Sequence, residues 1–303
     1  EAALKPKFTA ESFSIERDAQ VADLQQDADD MVTIGRQELR RRFFGDHPLA
    51  IESGGEIVHL EKIKAQDLAR LHRQLMVAPN VVLSVAGDFD PKKLGPKLRQ
   101  LLRRFKRTTF KPLAPTLDAP AEVCDVVLNQ PRQQAVVFQG YLGPGVRSED
   151  FHVAEVADEL FSGMSSRLFE RVREEKGLAY YVRSSRVIGL EAGMFYFYAG
   201  TQPGKETEVL YEIELEIKRM AAGKITKAEL QRCQTRISAS RRMSLQSNGS
   251  KAMHTALNEL YGLPIEDDEK FEKQIKAVTV KALASFAKRY LKRSACTQVV
   301  VRP

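Results

Sequence analysis

The sequence predicts an α+β fold: a duplicated domain with an antiparallel-rich sheet and helices packed on one face, the first copy being incomplete. Three observations carry this. First, "LARLHRQLMVAPNVVLSVA" (68–86) lies without a gap on "LASFAKRYLKRSACTQVVV" (283–301), setting Leu68 on Leu283, Leu71 on Phe286, Leu75 on Tyr290 and Met76 on Leu291. Second, a similar turn precedes each segment, "FFGDHPL" at 43–49 and "LYGLPI" at 260–265, and each turn ends a long helical stretch. Three matches in one order mark two copies of one unit, the pattern to seek before any other. Third, strands and helices come in blocks instead of strict βαβ alternation, which favours helices segregated beside an antiparallel sheet.

Taken in order, the pattern predicts a helix over about 9–42 and, after the turn, an amphipathic helix running into the β-branched strand "VVLSVAG". A proline-rich linker, "FKPLAPTLDAP" (110–120), follows. Beyond it come two strand candidates, "VCDVVLN" and "QAVVFQGY", a helix from near Ser148, the strand "GMFYFYAGT" and a helix from about Lys205. The long helix over 226–259 has a specific start signal: Thr226 and Glu229 form a capping box, and Ile225 can staple onto Leu230. The division is therefore residues 1–108 for the later part of a first copy, 109–121 for a linker and 122–303 for a complete second copy. A single strong strand cannot make a sheet. About a hundred residues matching 122–220 are thus expected to be missing from the front of the first copy, a size read from the repeat itself.

Composition is that of a globular protein, and no apolar run reaches the roughly 20 residues of a membrane span. The opening "EAALKPKFTAESF" lacks a signal-peptide pattern, so a targeting segment is expected to be absent or removed. Cys124, Cys233 and Cys296 are odd in number and far apart, against a disulfide framework or a cysteine zinc site. The formal charge of +7 gathers at Arg40–Arg42, Lys97–Arg107, Arg241–Arg242 and Lys288–Arg293. Only Phe105 and Tyr290 fall within these runs, too few to interleave them as base stacking requires, so no nucleic acid is expected. Solvated helix faces, or attraction to acidic peptides, account for the charge.

The chemistry-bearing stretch is "GMSSRLFERVREEKGLAYYV" (163–182). Arg173 follows Phe169 by four residues and shares its helix face. Gly177 supplies the left-handed residue that ends the helix. A strand then begins with Tyr180 and Tyr181 on opposite sides, so that one can face a cavity while the other packs. A guanidinium and a phenol aimed at one carbonyl would stabilise a tetrahedral oxyanion. The competing plain reading makes Arg173 a surface ion-pair partner and both tyrosines sheet packing.

"FSGMSSRLFERVREEKGLAYYV" with "FYAGTQPGK" resembles the second-domain signature of the pitrilysin or insulinase family of zinc peptidases, in the style of bacterial members like the mitochondrial processing peptidase. "FFGDHPLA", Gly54–Gly55 and "NVVLSVAGDFD" resemble the later part of that family's first domain. The resemblance implies two homologous α+β domains, with Arg173 and Tyr180 acting on a substrate opposite a zinc held by another domain. The family's inverted H-x-x-E-H motif does not occur here, and His47, His59, His72, His152 and His254 stand singly. "IERDAQVADLQ" (15–25) resembles the stretch holding the family's third metal ligand, with Asp23 at that position, one methylene shorter than glutamate. No metal site is therefore expected in this chain, and zinc is expected in a partner or a missing segment.

The resulting expectation is a peptidase half that bears the arginine–tyrosine pair. It would hydrolyse an extended or unfolded peptide with a zinc-bearing partner chain, a second copy or an N-terminal segment, and would be inert alone. The alternative is a non-catalytic structural or peptide-binding subunit of the same family. The resemblance favours the bacterial periplasm, though no residue shows it.

Overall fold

The computed structural model describes residues 4–111, 117, 124–163, 166–265 and 268–303. The chain forms two compact units: residues 1–26, 53–114 and 243–265 in one, and 27–52, 115–242 and 266–303 in the other. Each unit combines stretches from both sequence copies. The division by sequence similarity and the division by compactness therefore follow different lines. Most of the linker 109–121 lies outside the described residues.

The second unit holds a five-stranded sheet: β1 (Cys124–Asn129), β2 (Ala135–Pro144), β3 (Ala179–Val187), β4 (Ala192–Thr201) and β5 (Thr297–Arg302) in the order β1-β5-β2-β4-β3. Only β1 and β5 run parallel, and the other three pairings are antiparallel. The sheet is antiparallel-rich, as the sequence blocks imply. Its strands alternate between two cores. Val137, Tyr141, Phe195, Phe197 and Val300 face one, with helices α6 (Phe151–Ser162), α7 (Glu206–Ala221), α8 (Lys227–Ser244), α10 (Asp268–Ala277) and α11 (Val280–Tyr290). Val136, Phe138, Met194, Tyr196, Val299 and Val301 face the other. That second core is closed by α2 (Met31–Phe44), through Met31, Leu39, Phe43 and Phe44. The main helical layer thus lies on one face as expected, and α2, from the first sequence copy, adds a cover on the opposite one. It removes apolar strand surface that would otherwise meet water.

The two long helices of the sequence pattern are each two helices. The carboxylate of Asp30 accepts from the Val32 and Thr33 N–H groups at 3.3 and 3.0 Å, ending α1 (Ala10–Asp27) and starting α2. Ser247 Oγ accepts from the Ser250 N–H at 3.0 Å and starts α9 (Asn248–Leu260). Short polar side chains offer the backbone this alternative to continuing a helix. At the start of α8 the sequence-level cap is present: Thr226 N–H to Glu229 at 2.8 Å and Glu229 N–H to Thr226 Oγ1 at 3.2 Å.

The first unit contains most of α1, the short α3 (Ile57–Leu60), α4 (Ala65–Leu75), α5 (Pro91–Leu102) and α9. The repeat holds residue for residue at its helical end. Helix α4 stops at Leu75 and α11 at the matching Tyr290, and 3₁₀ turns follow at Ala78–Asn80 and at the matching Arg293–Ala295. Past the turn the copies part. Residues 297–302 are a paired strand, whereas 81–86, expected as a strand, belong to no ladder among the described residues. The propensity is there, but a ladder needs neighbours.

Candidate functional site: the Arg167–Tyr181 segment

Residues Phe169–Glu175 form π-helical turns, with Leu168 and Val172 fully buried. Such turns are rare and concentrate at functional sites. One face of the segment is tied down by carboxylates. Arg167 makes a two-pronged pair with Glu229, its Nη2 standing 2.6 Å from Oε2. The Arg167 hydrogen bonds hold the Glu229 carboxyl at a pKa of about 2, against the opposing effect of burial. Arg171 and Lys176 converge on Glu212, Lys176 Nζ at 2.6 Å, and the Glu212 side chain is only 2 % exposed. Burial alone would raise the Glu212 carboxyl, but the hydrogen bonds from Lys176 and Arg171 outweigh it and hold it below the usual range. Beside it, buried Glu216 pairs with Arg219 at 2.5 Å.

Arg173 lies elsewhere. Residues two apart on a helix do not face each other, so the contacts that hold Arg171 leave Arg173 on another side. Its guanidinium sits over the Phe169 ring, 4.9 Å from the centroid, as the four-residue spacing predicts. Its ion-pair contact is with neighbouring Glu174 at 3.6 Å, the two side chains being 47 % and 59 % exposed. A pair so open to water is worth little, and the cation remains available.

The segment ends as the sequence predicts. Gly177 has φ +60°, and its N–H donates to the Arg173 carbonyl at 3.1 Å, a left-handed cap. The Leu178 N–H closes on the Val172 carbonyl at 2.8 Å, and Thr201 Oγ1 donates to the Leu178 carbonyl at 2.5 Å. Strand β3 then pairs Ala179 with Thr201 and Tyr181 with Gly200, so Tyr180 is the extra residue of a β-bulge. Bulges re-aim side chains and recur beside active sites. Tyr180 is 49 % exposed. Tyr181 instead packs. Its ring lies across Gly200, where an added Cβ would come within 2.4 Å of it, and 5.9 Å from the Tyr198 ring. Burial pushes its phenol up to about 12.

Asp23 sits in α1, in the first unit, with its side chain exposed. The histidines hold local roles. His47 Nδ1 accepts from the Leu49 N–H at 3.1 Å, His59 lies 3.6 Å from Glu56, and His72 meets the Phe8 ring edge-on. His152 sits between Phe151 and Phe271, with Glu155 at 3.2 Å. Among the described residues no three or more His, Cys, Asp or Glu gather as a metal site would require. Among the described residues, then, no donor set fits zinc.

Sequence reasoning missed the Glu212–Glu216 anchor, the π-helical turns and the bulge. Only the first had a signal: in "EVLYEIELEIKRM", Glu212 and Glu216 are spaced like the apolar stripe of Val209, Ile213 and Ile217.

Residues 62–237, more than half of the chain, match the family model for the peptidase M16 inactive domain. The chain belongs to the peptidase M16 family. The matched stretch includes Arg173 and Tyr180 and excludes Asp23. Among M16 relatives, an uncharacterized zinc protease of Streptomyces coelicolor is 26 % identical over 96 % of this chain. The match spans 65 % of that relative, so this chain corresponds to just under two thirds of its length. A protein of Helicobacter pylori described as a non-peptidase homolog is 24 % identical over 98 % of this chain and 69 % of its own. The crystal structure of a peptidase M16 inactive domain from Pseudomonas fluorescens superposes with a TM-score of 0.89 at 22 % identity, covering 100 % of this chain and 73 % of that one. The last of these shows the fold alone. No helix among the described residues is long and apolar enough to cross a membrane.

Proposed function

We propose that this chain is the substrate-gripping half of an M16 peptidase, with Arg173 and Tyr180 contacting the scissile region of an extended peptide. The observation that carries this is the contrast within one segment. Arg167 is bound by the half-buried Glu229 and Arg171 by the buried Glu212, while Arg173 and the bulged Tyr180, seven residues on, stay open. In this role Arg173 donates to peptide carbonyl oxygen and Tyr180 O–H supports the oxyanion as it develops. Donors of this kind are worth roughly 10²–10³ in rate. The metal for hydrolysis comes from a zinc-bearing family partner or from a segment outside this sequence, so the chain alone is without peptidase activity. Co-purification from the source, followed by a peptide-hydrolysis assay on the reconstituted pair, tests this. Tyr180→Phe is expected to lower kcat by roughly 10²-fold with folding unchanged.

A second reading, a non-catalytic structural or peptide-binding subunit, is favoured by the non-peptidase description of the Helicobacter relative. It holds if the assembled complex forms normally and neither Arg173→Ala nor Tyr180→Phe alters hydrolysis.

A further inference from the structure

Of the four basic clusters in the sequence, three have their arginines engaged within the fold. Arg40 pairs with Glu52, and Arg41 and Arg42 pair with Glu38, each at 2.8 Å. Arg242 pairs with Glu272, and Arg241 lies over the Phe271 ring. Arg289 reaches Asp150 at 3.0 Å, and Arg293 reaches Glu214 at 2.9 Å. The cluster at Lys97–Arg107 differs. From Pro91 to Leu117 the sequence holds nine Lys and Arg and no Asp or Glu. All nine are exposed, and none has an ion-pair partner among the described residues, whereas nearby Arg70 is held by Asp67 at 2.9 Å. Helix α5 and its cap set Leu94, Leu98 and Leu102 on one side and Lys92, Lys97 and Arg103 on the other, a basic amphipathic pattern. Just beyond, Arg104, Phe105 and Lys106 line a cleft of about 300 Å³ in the first unit, together with apolar Phe8 and Met76 and two more cations, Lys5 and Arg73. Those two are likewise exposed and without an ion pair among the described residues.

We propose that this basic face of the first unit docks on an anionic phospholipid bilayer. The phosphates meet the cations between Lys92 and Lys111, and the cleft beside Phe105 takes the glycerol region of one lipid between its apolar side chains and its rim of cations. Charge complementarity argues for this occupant. Each cation close to such a surface raises binding about fivefold, and basic amphipathic helices with aromatic neighbours suit the bilayer interface. An acidic peptide brings a single line of carboxylates and leaves most of the nine cations unused, whereas a sheet of phosphates reaches all that share the face. Base stacking on nucleic acid needs open rings, and Phe105 and Phe110 are half-buried. No helix among the described residues spans a bilayer, so the contact is peripheral and sensitive to salt. This proposal is independent of any role for Arg173 and Tyr180.

Vesicle flotation tests it, with the 303-residue chain and with the polypeptide purified from its source. Both should float with vesicles of phosphatidylglycerol in phosphatidylcholine and not with phosphatidylcholine alone. Salt at about 1 M, where the screening length falls to about 3 Å, should release them. Arg104→Gln with Lys106→Gln should weaken partitioning roughly 25-fold, at about fivefold for each cation. Arg41→Gln with Arg42→Gln removes the same charge from a paired cluster and should change partitioning by less than about twofold. Should the first pair of substitutions unfold the chain, Lys92→Gln with Lys93→Gln, in the exposed first turn of α5, gives the same contrast. The proposal is overturned if either protein stays unbound with the anionic vesicles, if neutral vesicles bind as well, or if the two double variants lose binding equally. It is equally overturned if duplex DNA or a polyglutamate peptide, competing at equal charge, is preferred to the vesicles.

Discussion

The two faces of the Arg167–Tyr181 segment differ sharply in how their charged side chains are held. On the inner face, Arg167, Arg171 and Lys176 reach carboxylates on α7 and α8, and the two carboxylates that anchor them, Glu212 and Glu229, have side chains 2 % and 14 % exposed. On the outer face, Arg173 and Tyr180 are about half exposed, and the backbone around them is irregular, π-helical before Gly177 and bulged after it. The difference teaches that charge alone says little about role. Three cations of one short stretch fasten the element, and that fastening presents the fourth. Irregular backbone persists only where its surroundings over-determine it, and here the inner ion pairs and the buried Leu168 and Val172 do so.

The sharpest way to break this comparison is to remove the outer cation. Arg173→Ala, assayed in the reconstituted peptidase, should lower kcat/KM by roughly 10²-fold or more, since a charged donor to the peptide is lost. Thermal unfolding should be almost unchanged, because its ion pair is exposed. A large fall in melting temperature with intact hydrolysis would instead place Arg173 with the fastening residues.

Next in size is the inner anchor. Glu212→Ala removes the shared partner of Arg171 and Lys176. It should destabilise the second unit by about 1–3 kcal/mol, below the range for fully buried pairs because both cations can turn to water. Chemical denaturation measures it. Because Glu212 also holds the element that carries Arg173, activity in the assembled enzyme should fall with stability.

A smaller effect comes with pH. Glu229 and Glu212 both have folded-state pKa values below their ordinary carboxylate values, Glu229 at about 2. A depressed folded pKa contributes stability that is fully present above the unfolded value and is lost as pH falls through the folded one. Melting temperature should therefore decline from about pH 5 down to about pH 2, and Arg167→Ala should flatten part of that decline. An unchanged acid limb in Arg167→Ala would show that the Glu229 pair does not set it.

What the sequence made legible was local. The repeat paired α4 with α11 in a register that their helix ends and following turns keep, because helix ends and 3₁₀ turns depend on a few neighbouring side chains. The Thr226–Glu229 box and the Gly177 stop follow from the same short range. The breaks at Asp30 and Ser247 were visible in principle, as capping residues, but the helical periodicity on either side masked them. The cover of the sheet by α2 was not legible, since Met31, Leu39 and Phe43 show an apolar stripe without saying what it meets. Nor was the bulge at Tyr180: its cause is the register against Gly200 and Thr201, about twenty residues away along the chain. Arg171 and Arg173 look alike in sequence, and only the position of Glu212 on α7 separates them.

The central claim, that the open face and not the packed one meets substrate, is tested most directly by the two adjacent tyrosines. Tyr180→Phe and Tyr181→Phe each remove one oxygen from neighbouring positions of one strand, so their single-turnover rates of peptide hydrolysis in the reconstituted complex can be compared without a difference in chemistry. The account predicts a rate roughly 10²-fold lower for Tyr180→Phe and a rate near wild type for Tyr181→Phe, whose ring packs on Gly200. A Tyr181→Phe complex that is inactive while Tyr180→Phe turns over normally would contradict it.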